Sequence, residues 1–248
     1  CVSRRSSPRN NSANFAVPEL PEVEVLVRHL RPLLCGRTVR AVTVRKAKIT
    51  RYTPERELCA ALTGAKFIGL SRRGKYLCFT LRRGRGEPFT VTGHLGMTGR
   101  MFLLPKAAAL PKHAVVVADL GAQQFVFEDA RQFGRFTLDD SAVRALGPEP
   151  WEESFTAEVF RAALRRSAQA IKVKLLDQSL VAGVGNIYAS EVLFRAGISP
   201  RRTAKRVKFD EAARLLAEIR TVLAEAIQCG STIPLDFAGA GQRDGLFY

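Results

Sequence analysis

Acids are scarce in this chain, long apolar runs are missing, and no two cysteines stand at metal-ligand spacing. The 248 residues hold 23 Asp and Glu against 39 Lys and Arg, a net charge of +16. Such an imbalance favours a polyanionic partner, because each phosphate neutralised by a cation releases condensed counterions. Nucleic acid leads, and an anionic membrane surface comes second. No apolar run approaches the roughly 20 residues that span a bilayer, so the second reading reduces to peripheral binding. The cysteines, Cys1, Cys35, Cys59, Cys78 and Cys229, form no C-x-x-C pair. Their spacing excludes a zinc finger or knuckle built from this chain and reads as free thiols in a reducing compartment. No repeat of fixed period is visible, which sets solenoids aside. What is abundant is apolar side chain, 46% of residues, enough for a packed core and against wholesale disorder.

Residues 1–17, CVSRRSSPRNNSANFAV, contain no acid and read as an extension that cannot bury a core. Arg- and Ser-rich, acid-poor composition also suits an organellar transit peptide. From Pro21 the pattern turns helical. Proline suits a first turn, Glu22 and Glu24 suit the positive end of the helix dipole, and Val23, Val27, Leu30 and Leu34 recur at helical spacing up to Gly36. Segments 38–52, 65–81, 88–104 and 114–129 follow, rich in β-branched and aromatic residues and parted by glycine turns. They predict strands and hairpins of an antiparallel sandwich or barrel. The stretch LGPEPWEESF at 146–155 marks a change, after which helical patterns cover 156–166, 170–178, 186–196 and 210–228. The fold class is α+β: an N-terminal helix with an antiparallel β-sandwich domain over 18–147, then a helical domain over 148–248.

Two runs are basic without any acid. Arg72, Arg73, Lys75, Arg82, Arg83 and Arg85 fall in one hairpin, and Arg195, Arg201, Arg202, Lys205, Arg206 and Lys208 follow the third of the late helices. Each alone reads as a solvated face; together, in so basic a chain, they favour a phosphate footprint. The stretch LVAGVGNIYASE, 180–191, places glycines at a tight turn that opens a helix at Asn186. Backbone N–H groups at a helix start hold phosphate, with Asn186 as an added donor and Lys172 and Lys174 one helix upstream. A plain helix–turn–helix connection is the bland alternative. GHLGMTGR, 93–100, is a glycine-rich hairpin tip with His94 and Met97, and DARQFGRF, 129–136, presents Arg131 and Phe133 near a turn. Met97 and Phe133 read either as core filler or as apolar wedges between bases.

Pro18 and Glu19 carry the sharpest chemistry, on one condition. A chain that begins at Pro18 has a secondary amine there, with a pKa of about 8 against about 10.4 for lysine. Attack on a sugar C1′ gives an iminium directly, and Glu19 can shuttle the proton that ring opening requires. With residues 1–17 attached, the same nitrogen is an inert amide.

In this order the motifs PELPEVE, RRGKYL, GHLGMTGR, DARQFGRF, LGPEP and GVGNIYASEVLFRAGISP resemble formamidopyrimidine-DNA glycosylase. The resemblance runs from Pro18 to about Tyr248. It implies a repair glycosylase that excises oxidised purines such as 8-oxoguanine and formamidopyrimidines, then cleaves the abasic strand by β,δ-elimination through a Schiff base. Pro18 would be the nucleophile, Glu19 the general acid/base with Glu22 in support, and Lys75 would contact phosphate beside the lesion. Met97, Arg131 and Phe133 would fill the gap left by the flipped nucleotide, near His94 at the same tip. Lys172 and Asn186 would grip phosphates through a helix–two-turn–helix motif, and STIPLDFAGAGQRDGLFY would begin the loop over the extruded base. The implied partner is double-stranded DNA with oxidised purines or abasic sites, bound by a monomer in bacterial cytoplasm.

The chain departs from the family pattern twice. Val17 stands where Met precedes the proline, which reads as a GUG start with residues 1–16 an upstream artefact; transit-peptide cleavage is the alternative. The C-terminal zinc finger of the family is absent from these residues, so no metal and no cofactor are expected in this chain. A non-catalytic damaged-DNA-binding module with a blocked proline is the competing function, and an RNA-binding protein a poorer one that leaves Pro18, Glu19 and Lys75 without roles.

Overall fold

The computed structural model describes residues 17–230. The extension 1–16 with Cys1, and the segment 231–248 with the expected base-covering loop, lie outside the described residues. Helix α1 (Leu20–Leu34) begins with Glu19 as N-cap and Pro21 in its first turn, as the sequence pattern implies. In chain order follow β1 (Ala41–Val44), a 3-10 turn (Ala47–Thr50), α2 (Glu55–Leu62), β2 (Lys66–Arg73), β3 (Tyr76–Arg82), β4 (Phe89–His94), β5 (Arg100–Pro105), β6 (Ala114–Asp119), β7 (Gln123–Glu128), β8 (Arg135–Thr137) and α3 (Ser141–Arg144). The helical part comprises α4 (Ala157–Arg165), α5 (Ile171–Leu176), α6 (Asn186–Arg195), a 3-10 turn (Ala204–Arg206) and α7 (Phe209–Gln228).

The strands form two antiparallel four-stranded sheets, ordered β1-β6-β7-β5 and β2-β3-β4-β8. Alternation along β3 sends Leu77, Phe79 and Leu81 inward. Phe79 meets Phe125 of the other sheet edge-to-face at 5.7 Å, within a core that draws on both sheets. A second core lies among the helices, with Leu215, Leu216, Ile219 and Leu223 of α7 in one cluster with α4 and α6 residues such as Phe160 and Val192. Helix α1 joins the two. Val23, Leu26, Val27, Leu30 and Leu34 belong to the sandwich core, whereas Leu20 belongs to the helical one.

One expected strand is shorter than its composition suggests. Segment 38–52 holds only the four residues of β1 before the chain coils into the 3-10 turn, closed by Thr50 Oγ1 donating to Ala47 O at 3.1 Å. Helix α2 was not signalled by the strand-like texture around it. It follows Pro54, carries Glu55 and Glu57 in its first turn, and buries only Leu58 and Leu62.

Candidate active site

Between the two cores, α1 and α6 point their N-termini at one another. Glu19 and Glu22 are almost wholly buried there, at 1% and 0% exposure. The Glu19 carboxylate accepts from the N–H of Gly185 at 2.6 Å and of Ile187 at 2.8 Å, so it occupies the helix N-terminus that the sequence assigned to phosphate. Glu22 accepts from the Glu19 N–H at 2.8 Å and from the Tyr188 hydroxyl at 2.7 Å. The α1 backbone is pinned to the same turn, Leu20 N–H donating to Gly183 O at 3.1 Å. Pro18 lies buried immediately before this cluster.

Lys75, in the β2–β3 turn, completes the group. A Cβ added to Gly185 would lie 2.6 Å from Glu19 Oε1 and 2.5 Å from Lys75 Nζ, so only glycine lets both side chains close on that turn. Burial raises the Glu19 pKa above the ordinary carboxylate value, against the pull of the Lys75 ammonium and the two N–H donors. Burial likewise lowers the Lys75 pKa, opposed by Glu19 and Glu22. Both shifts favour a proton on the carboxyl and a free amine, the condition in which each group can transfer a proton.

His94 ends β4 opposite Tyr76, their ring centroids 4.7 Å apart. Its Nδ1 accepts from the Gly96 N–H at 3.0 Å, which leaves Nε2 as the protonated nitrogen and a donor. Burial first, then the charges of Lys75 and Arg135, push its pKa down to about 4. Beyond it, the tips 93–100 and 129–136 are locked together by Asp129. Its carboxylate accepts from Thr98 Oγ1 at 2.6 Å, Arg131 N–H at 3.2 Å and Gly134 N–H at 2.8 Å. This places Met97, half-buried, beside Arg131 and Phe133, which are exposed. Phe133, 48% exposed, is flanked by two cations, Arg131 at 4.7 Å and Lys48 at 5.6 Å from its ring centre. It is not core filler.

Asn186 is exposed as the first residue of α6. The Lys172 amine donates to Ser190 Oγ at 2.8 Å, which donates to Asn186 O at 2.8 Å, so these two expected residues share one line across α5 and α6. Lys174 is tied to Asp177 at 2.6 Å instead.

The basic runs fare differently from their reading as continuous footprints. Strand β3 separates Lys75 from Arg82, Arg83 and Arg85 by about 20 Å, at roughly 3.3 Å per residue. Arg83 donates to the carbonyls of Ala60, Ala61 and Thr63 at the end of α2. Arg72 bridges Glu24 at 2.9 Å and Glu149 at 2.8 Å, and Arg73 reaches Glu149 at 3.1 Å. Arg195 pairs with Glu191 and Glu225, and Arg202 with Glu211. Arg72, Arg73 and Arg195 thus hold the fold together through Glu149 and Glu225, carboxylates remote in sequence that no local count of acids reveals. Sequence reasoning also passed over Asp129, Glu149 and Tyr188. Only Asp129 carries a local signal, heading a turn that it caps.

A β-sandwich joined to a helical unit, with an ionisable cluster at their seam and an aromatic tip beside it, is the architecture of a class: the helix–two-turn–helix DNA glycosylases. Residues 17–136 match the formamidopyrimidine-DNA glycosylase N-terminal domain, and residues 146–236 match the formamidopyrimidine-DNA glycosylase H2TH domain. The formamidopyrimidine-DNA glycosylase of Carboxydothermus hydrogenoformans is 41% identical over 231 residues, covering 93% of this chain and 85% of the relative. That of Thermus thermophilus is 41% identical over 237 residues, covering 93% and 83%. Among solved structures, the Lactococcus lactis enzyme bound non-covalently to DNA containing an AP site superposes with a TM-score of 0.80. It shares 34% identity, over 86% of this chain and 83% of that one. The chain belongs to the formamidopyrimidine-DNA glycosylase family.

Proposed function

We propose that this protein excises oxidised purines from duplex DNA and cleaves the resulting abasic strand, with Pro18 as nucleophile. The observation that carries the reading is the buried Glu19 carboxyl, raised in pKa, sharing the Gly185 turn with Lys75 and adjoining Pro18. The neutral Pro18 amine bonds to C1′ as the C1′–base bond breaks and the base leaves with the electron pair and a proton. Glu19 protonates the sugar ring oxygen as the base departs, so that the C1′–O4′ bond opens in the same step, and the charged iminium makes the C2′ proton acidic. Loss of that proton expels the 3′ phosphate; a second elimination expels the 5′ phosphate, and water releases the amine. The chemistry requires a chain whose first residue is Pro18, since an amide nitrogen cannot form the iminium.

Glu22 keeps Glu19 and Tyr188 in register. Lys75 and the Nε2–H of His94 face the phosphate beside the lesion, Asn186 and Lys172 a neighbouring one, and Met97, Arg131 and Phe133 the gap left by the flipped nucleotide. The bacterial relatives support action in bacterial cytoplasm. The test is single-turnover excision from a duplex carrying 8-oxoguanine, using protein that begins at Pro18. Replacing Glu19→Gln should slow base release by about 10²–10⁴-fold, the usual contribution of a general acid/base. Release at the wild-type rate would contradict the assignment.

A further inference from the structure

Nothing in the chemistry above uses the loop between β1 and α2, although it exposes four cations and no acid. No acid occurs between Glu24 and Glu55. Within that stretch, Arg45, Lys46, Lys48, Arg51 and Tyr52 are exposed while Ile49, Thr50 and Thr53 are buried, so the loop is rooted by its apolar and hydroxyl residues and turns its cations outward. The rooting is specific. Thr53 Oγ1 lies 2.6 Å from Thr137 Oγ1 and accepts from the Leu138 N–H at 3.0 Å, binding the loop to β8, the strand that follows Phe133 and Gly134. Tyr52 is 73% exposed and sits in the left-handed region at φ 72°. A non-glycine residue keeps such a conformation only where its surroundings impose it, and such positions cluster at functional sites. Lys48 reaches the Phe133 ring itself.

We propose that the loop Arg45–Tyr52 is a second duplex-binding surface, in which Lys46, Lys48 and Arg51 take backbone phosphates flanking the point where Phe133 enters the DNA, with the Tyr52 hydroxyl as a neutral donor. The inference rests on the reading of Phe133 as a duplex wedge. Three outward cations on a loop anchored to β8, unopposed by local acid and with Lys48 over the wedge ring, lie where the backbone of a duplex penetrated by Phe133 must pass. Phosphate contacts of this kind position the protein and carry no sequence preference.

Fluorescence anisotropy on a duplex containing a stable abasic-site analogue, and on its intact counterpart, tests this across a salt series. The triple variant Lys46→Ala, Lys48→Ala, Arg51→Ala should bind both duplexes more weakly by the same factor. Its slope of log affinity against log salt should be shallower by about 2.7, at roughly 0.9 for each phosphate no longer neutralised. Arg85→Ala, at the far end of β3, should leave the slope unchanged. A triple variant with the wild-type slope, while wild type still prefers the lesion duplex, would overturn the loop assignment. Wild type without any lesion preference would instead overturn the wedge reading beneath it.

Discussion

His94 shows how closely the surroundings of one side chain set its chemistry. An ordinary histidine takes a proton near pH 6.5, whereas this one, buried beside Lys75 and Arg135, does so only at about 4. It is therefore a neutral donor throughout the working range, one that adds no charge beside Lys75. The same shift governs stability. Between the two values the unfolded chain binds a proton that the folded chain does not, so this contribution is complete above pH 6.5 and is lost as pH falls towards 4. The thermal midpoint of wild type should thus fall more between pH 7 and pH 4.5 than that of His94→Gln. Parallel pH curves would show that the imidazole is not held neutral. His94, Pro18, Glu19 and Lys75 were all legible in the sequence, because they sit in short motifs. Tyr188 and Glu149 were not, since each acts by accepting or donating across the fold, Tyr188 to Glu22 from 166 positions away.

Elements built on a single periodicity could be read directly, α7 and the β3–β4 hairpin among them. The ones that failed are those where local hydrogen bonds outweigh composition, as in the 3-10 turn after β1. How elements hold the site depends on Glu149. It accepts from Gly74 N–H at 2.6 Å and pairs with Arg72 and Arg73, fixing the β2–β3 turn that aims Lys75, while Arg72 reaches on to Glu24 of α1. Arg72 and Glu149 side chains are only 10% and 16% exposed. Glu149→Ala should therefore destabilise the fold by on the order of 3 kcal/mol, at the low end for breaking a buried pair. The exposed Arg28–Glu24 pair on α1 gives the contrast, since Arg28→Ala should cost about 0.5 kcal/mol or less. Urea midpoints at unchanged slope measure both. Equal, small losses would mean that Glu149 is not the anchor of the turn.

At the scale of the whole molecule, the buried ionisable cluster exists only where two separately packed units meet. One unit supplies Lys75 and His94, the other Gly185 and Tyr188, and α1 reaches both cores while presenting Pro18, Glu19 and Glu22 between them. Two units, their order and their classes were visible in the switch from strand to helix texture near residue 146. The seam was not, because nothing local says that a glycine after Val184 must make room for a carboxylate 166 positions earlier. The net charge of +16 pointed to the right kind of partner. It misjudged which arginines are available, many being engaged with carboxylates. The account stands on the nitrogen of Pro18. Borohydride reduction of the protein mixed with abasic-site DNA, followed by peptide mapping of the trapped adduct, tests it most directly. On a chain beginning at Pro18, the reduced sugar should be found on the Pro18 nitrogen, and a chain retaining residues 1–17 should give no adduct there. An adduct mapped to Lys75 in the chain beginning at Pro18 would contradict the mechanism.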